Sequence, residues 1–198
     1  LDALQWIAGM PSKVRGHVGI GKFHDIEVED DVTCYMEFPG GTSGIFISST
    51  GETPGSNRFE ITGTKGRVIL ENDKMILTRN AVPSDEWNQT SKIGFKQPDT
   101  TVEEIPIPAA DEPHAGLLTN FIDAILDGAE LIAPGSSGIG SVELANVMLY
   151  SGLMDKPIDL PMDGLEWEEK LNELIAESTH EKKIAEVSSE DFKSSFRR

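Results

Sequence analysis

DVTCYMEFPGGTSGIFISST, residues 31–50, is the stretch on which the fold turns. Val32, Cys34, Met36 and Phe38 alternate with Thr33, Tyr35 and Glu37, the period of two that sends successive side chains to opposite faces of a strand. Pro39-Gly40-Gly41 stops the alternation, so Thr42–Thr50 is predicted to fold back antiparallel as the second arm of a hairpin. In that arm Ile45 and Ile47 oppose Phe46, which makes it apolar on both faces.

The same short period extends outward. Upstream, GHVGIGKF reads as a strand, and Gly51-Glu52-Thr53-Pro54-Gly55-Ser56 downstream reads as a loop of turn formers. Three short strands then follow as a meander: Arg58–Thr62, RVILE after Thr64-Lys65-Gly66, and KMILT after Asn72-Asp73. Residues 80–100 carry no clear period and are expected to be an irregular excursion, before TVEEIPIP supplies a last strand ended by prolines.

After Pro113 the period becomes 3.6. Leu117, Leu118, Phe121, Ile122, Ile125 and Leu126 form one apolar stripe, ended by Gly128, and Ile139, Val142, Ala145, Met148, Leu149 and Leu153 form a second over about 139–153. A third helix is expected from Asp163, with Glu166 in capping-box spacing and Trp167, Leu171, Leu174 and Ile175 as its buried face. From about Ser178 charged residues and serine dominate, which predicts a weakly packed tail or a partner-contacting arm. LDALQWIAG reads as the closing turns of a helix whose start is missing; a piece of a longer chain is the preferred reading, although an unusual boundary gives the same pattern.

Strands first and helices afterwards predict an α+β fold: an open, mainly antiparallel sheet of six or so strands with helices packed on one face and the other face used for dimerisation. The expected divisions are 1–10 as the end of a truncated helix, 11–176 as the α+β domain, and 177–198 as the charged tail.

Composition narrows the function classes. With 34 acidic and 17 basic residues the net charge is −17, which repels nucleic acid and anionic lipid; a well-solvated surface is preferred over a specific cation site. No run approaches the roughly 18 apolar residues of a membrane span. Cys34 is the single cysteine, which rules out an internal disulfide framework and a Cys-based zinc site and predicts a reducing, cytoplasmic setting.

Two glycine-rich stretches fail as nucleotide motifs. Gly19-Ile20-Gly21-Lys22-Phe23-His24 has His24 where the third glycine belongs and runs into an acidic strand, while Gly135–Gly140 precedes a helix but follows no buried strand. No phosphate loop and no nucleophile elbow is present. HDIEVEDD is rich in hard oxygen ligands, yet in a strand Glu27, Glu29 and Asp31 stand roughly 7 Å apart, which favours an acidic edge that is solvated or lines a pocket over a metal site. His17 and His114 are the histidines worth following, each read first as a structural or surface residue; His114 is placed in the loop before the first internal helix.

Taken in order, LQWIAGMP (4–11), HDIEVEDDVTCYMEFPGGTSGIFISSTGE (24–52), NRFEITGTKGRVILE (57–71), HAGLLTNFIDAILDGAELIAPGSSGIGSVELANVMLYSG (114–152) and IDLPMD (158–163) resemble the C-terminal domain of the Gfo/Idh/MocA oxidoreductases, the family of glucose-fructose oxidoreductase and inositol dehydrogenase. The resemblance runs to about residue 176 and is most specific in RFEITGTKG and in NFIDAILDG followed by SVELAN. It implies a two-domain NAD(P)-dependent parent acting on a sugar, polyol or related hydroxy compound. The nucleotide-binding domain would lie outside this chain, so no cofactor-binding, metal or catalytic residue is assigned, and the catalytic acid/base is expected upstream of Leu1. The chain alone is expected to be inactive. His17, Glu52, Asn57, Arg58 and His114 are the candidates for the substrate wall; for Arg58 a salt bridge within the acidic sheet, and for Asn57 a turn contact, are equally available readings. The expected partners are a further copy of the chain, as dimer or dimer of dimers through the open sheet face, and the parent's own nucleotide domain. A non-enzymatic ligand-binding or scaffolding domain that reuses the sheet is the alternative.

Overall fold

The computed structural model describes residues 1–108 and 113–179. The tail expected at 177–198 therefore lies, beyond Thr179, outside the described residues. In chain order the elements are α1 (Asp2–Ala8), β1 (Lys13–Ile20), β2 (Glu29–Glu37), β3 (Ser43–Ser49), β4 (Arg58–Gly63), β5 (Gly66–Glu71) and β6 (Lys74–Asn80). They continue with α2 (Ser84–Thr90), β7 (Thr100–Ile105), α3 (Pro113–Asp127), a 3-10 turn (Gly135–Ser137), α4 (Gly138–Met154), β8 (Ile158–Asp159) and α5 (Gly164–Glu177).

The α+β class with open antiparallel sheets is borne out, but the strands form two four-stranded sheets where one was expected, β3-β2-β1-β8 and β4-β5-β6-β7. The chain correspondingly divides into two compact units, Leu1–Gly51 with the residues from Pro134, and Glu52–Ala133. The loop 51–57, with its turn formers and Pro54, forms no regular ladder.

In the first unit the hairpin of β2 and β3 forms as the sequence predicts, Phe38 N–H donating to Thr42 O at 2.8 Å across Gly40 and Gly41 with φ of 86° and 87°. These left-handed values suit glycine and explain why the alternation stops there. One face of the sheet carries Val14, Cys34, Met36 and Phe38, and α4 covers it with Leu144, Val147, Met148 and Tyr150; Ile158 of β8 completes the buried set. The approach is close because two glycines face each other's elements. A Cβ on Gly16 would run into the Met148 carbonyl, and one on Gly152 would stand 2.6 Å from a Val18 methyl. Between them Ser151, fully buried, accepts from Gly16 N–H at 2.8 Å and donates to Lys156 O at 2.5 Å.

The packed side of α4 overlaps the expected stripe only in part, at Met148, which is buried. Ile139 and Val142 are 65% and 60% exposed, while Leu144, Val147 and Ser151 are buried: backbone proximity, not bulk, selects the packed side. On α5, Asp163 caps as predicted by accepting from Leu165 N–H at 2.8 Å. Glu166, however, does not complete a capping box; it accepts from the Tyr150 hydroxyl at 3.2 Å. Trp167 is half-buried edge-on to Tyr150 with ring centres 6.0 Å apart, whereas Leu171 and Ile175 are exposed, so the buried face of α5 is only part of the predicted one.

In the second unit β4, β5 and β6 pair as a meander, with Asn72 and Asp73 both left-handed (φ 51° and 57°) in the tight turn between β5 and β6. The stretch expected to be irregular contains α2, and Trp87 of that helix donates to Lys96 O at 2.8 Å. β7 closes the sheet against β6. The stripe of α3 is exposed along its length, from 45% at Leu117 to 74% at Leu126.

Candidate functional site

The predicted strand through HDIEVEDD begins only at Glu29; residues 21–28 form a loop. The cause is a bulge, since Gly19 pairs with Asp31 and Ile20 with Glu29, leaving Asp30 unpaired and turned inward. Its carboxylate, 1% exposed, accepts from the main-chain N–H groups of Phe23 (2.7 Å), Lys22 (2.9 Å) and His24 (3.0 Å). Burial alone would raise this carboxyl, but those donors together with the His24 ring outweigh it and hold it at about 2. Glu27, taken for a strand residue, instead accepts from Ser178 and Thr179 at the end of α5.

This geometry also decides the glycine-rich stretch. The N–H groups of residues 22–24, the ones a phosphate would need, are already spent on an anionic side chain of the same chain, and the stretch leads into a strand. The residues do not fit a dinucleotide. His24 Nδ1 lies 3.2 Å from Asp30 Oδ2 and 3.3 Å from Thr50 Oγ1. Both contacts fall on one ring nitrogen, so Asp30, His24 and Thr50 do not form a relay in which the ring passes a proton from one nitrogen to the other. Beside them an open hollow of about 210 Å³ has Val32, Phe46, Met148 and Leu149 in its wall and Glu29, Asp30, Ser48 and Thr50 at its polar side. Among the described residues no three His, Cys, Asp or Glu side chains are placed to share a metal ion.

The uncovered face of the first sheet is the second feature. Register places Arg15, Tyr35 and Ile45 side by side, and His17, Thr33 and Ile47 in the next row. Ile45 and Ile47 are 70% and 63% exposed, and Tyr35 is 47% exposed. His17 thus stands on the outward face, while Cys34, behind it, is buried and its thiol pushed up to about 11.

The other wall candidates belong to the second unit. Glu52 and Asn57 are exposed in the loop before β4. Arg58 opens β4 and pairs with Glu60 (2.5 Å) and Glu71 (2.8 Å), with Arg67 3.7 Å from Glu60. The hydrogen bond to Glu60 raises the guanidinium, and Arg58 in turn holds Glu60 below the usual carboxylate range. His114 is exposed in the first turn of α3, not in the loop before it. Asp30 and Ser151 are the residues that sequence reasoning passed over. The visible signal for Asp30 was a single carboxylate in register with the apolar side of a strand.

The family profile of the GFO/IDH/MocA C-terminal domain matches residues 1–69. The resemblance read from the motifs is borne out there. Inositol 2-dehydrogenase of Rhizobium meliloti (strain 1021) is 26% identical over 123 residues, covering 62% of this chain and 34% of that protein. The WlbA dehydrogenase from Bordetella pertussis, solved with NADH and UDP-GlcNAcA, has a TM-score of 0.52 at 19% identity over 82% of this chain and 42% of its own. Aldose-aldose oxidoreductase from Caulobacter crescentus, solved with glycerol, has a TM-score of 0.60 at 18% identity over 80% of this chain and 44% of its own. The two structures share the fold, and the chain spans about a third of the curated relative's length and under half of either solved chain.

Proposed function

We propose that the chain is the substrate-facing, self-associating half of an NAD(P)-dependent oxidoreductase acting on a sugar, polyol or related hydroxy compound. The observation that carries the reading is the match of its first 69 residues to a C-terminal domain, in a chain covering 34% of an inositol dehydrogenase. The nucleotide and the hydride chemistry would come from the parent's other domain, and this chain would supply hydrogen-bonding groups on a rigid sheet. His17, Glu52, Asn57, Arg58 and His114 remain the proposed wall. Of these Arg58 would reach a substrate only by exchanging an ion pair, whereas His17 already faces outward from β1. A reducing, cytoplasmic setting belongs to the same proposal, supported by one buried thiol.

Self-association is proposed through the outward face of β1, β2 and β3, because Ile45, Ile47 and Tyr35 leave there an apolar row that water solvates poorly. Sedimentation at tens of micromolar is expected to show a dimer or larger, since an interface of about 1,600 Å² is stable at such concentrations. A monomer throughout removes the dimer from the proposal. Calorimetric titration with NAD and NADP is expected to show no binding to this chain, and micromolar affinity for either defeats the assignment of the nucleotide to another domain.

A further inference from the structure

The loop between β1 and β2 is tied at its base and along its length. Gly21 N–H donates to Val28 O at 3.1 Å, and Ile26 N–H donates to His24 O at 3.0 Å. The Asp30 carboxylate holds the main chain of residues 22–24, and the Phe23 ring lies against Gly51, where a Cβ would find no room. The His24 ring is tied in turn, through Nδ1, to Asp30 on β2 and to Thr50 just beyond β3. Its position is thus fixed by the fold before any ligand arrives, which spares a ligand the cost of ordering it.

The partners also assign the proton on the ring. Asp30 is ionised at neutral pH and can only accept, so the hydrogen between it and the ring sits on Nδ1. Thr50 agrees: its hydroxyl donates to Asp30 O at 3.4 Å, which leaves its oxygen free to accept from Nδ1 at 3.3 Å. A neutral imidazole protonated on Nδ1 carries a lone pair on Nε2. The side chain is half-exposed, and among the described residues no group donates to that nitrogen. An anionic group would meet this lone pair with the ionised Asp30 behind it, so the fitting donor is a neutral hydroxyl. We propose that His24 Nε2 accepts a hydrogen bond from a hydroxyl of the sugar or polyol substrate, with Asp30 and Thr50 as the positioning residues that fix the tautomer. This inference rests on the oxidoreductase reading above and adds to its wall a residue on the loop between β1 and β2.

Nitrogen-15 spectra of the histidine rings in the full-length chain, titrated with inositol, test this. At neutral pH His24 is expected in the Nδ1–H form, and inositol is expected to move its Nε2 resonance while Nδ1 stays in place. In Asp30→Asn the partner can donate as well as accept, so the ring is expected to become a mixture of both tautomers, a change that a merely structural carboxylate would not produce. His24→Asn keeps an N–H within reach of Asp30 but removes Nε2. It is expected to leave the amide signals of Lys22 and Phe23 in place and to weaken inositol binding about fivefold, the loss of one hydrogen bond. An Nε2–H ring in the native chain, an unchanged tautomer in Asp30→Asn, or undiminished binding in His24→Asn overturns the inference and leaves the oxidoreductase reading standing. So does inositol that shifts His17 but not His24. Inositol that perturbs no residue of the chain overturns both.

Discussion

Both units hold a four-stranded antiparallel sheet, β3-β2-β1-β8 in one and β4-β5-β6-β7 in the other. Every buried side chain of the core among the described residues, from Val14 to Ile158, belongs to the first. The ladders of the second are just as regular, with six consecutive pairs between each neighbouring pair of strands. Hairpin register is thus a local matter of turn residues and alternation, whereas a core needs a second layer that comes close. Among the described residues α4 does so most closely, through Gly16 and Gly152, with Leu4 and Trp167 packed at the margin of the core. The second sheet leaves Ile61, Leu70 and Val102 exposed, and α3 presents an apolar stripe that is likewise exposed.

The largest effect that would break this comparison is on a core side chain. Met36→Ala, at a position 0% exposed, is expected to cost about 2–5 kcal/mol through lost burial and the cavity left behind. Ile61→Ala, on a residue 43% exposed, is expected to cost about 1 kcal/mol or less. Hydrogen exchange reads the two sheets separately. Amides of β1, β2 and β3 should lose protection in the first variant only; a comparable loss in β4, β5 and β6 for Ile61→Ala would show that the second sheet has a core of its own.

Much of the first unit was legible because alternation and turn residues act locally. Val32 to Phe38, the Pro39-Gly40-Gly41 turn and the cap at Asp163 all appear where the spacing puts them. What could not be read depends on neighbours distant in sequence. Which face of α4 is buried follows from a glycine 136 positions away on β1, so the periodic apolar residues Ile139 and Val142 misled. Glu166 had a capping position available and a tyrosine hydroxyl nearer in space. The candidate wall was legible only as residue types: Arg58 proves to be held between two glutamates, and His17 and His114 sit in different units.

A smaller effect sharpens the contrast between the ionic arrangements of the two units. Asp30 and Glu60 both have carboxyls held below their ordinary values, the buried Asp30 by main-chain N–H donors and Glu60 by an exposed guanidinium. A carboxylate depressed in the folded state contributes stability above its unfolded pKa and loses it as pH falls through the folded value. For Asp30 that window runs from 3.8 down to about 2. Asp30→Asn is therefore expected to lower stability at neutral pH and to flatten its decline across this acid window, because the amide no longer titrates and holds the 22–24 loop less tightly. Glu60→Gln should leave both nearly unchanged, and any small effect should fade in high salt, since its partners are solvated. Unfolding curves collected from pH 5 to pH 2 distinguish the two. If Glu60→Gln flattened the acid limb as much as Asp30→Asn, the exposed network on the second sheet would matter as much to folding as the buried carboxylate of the first.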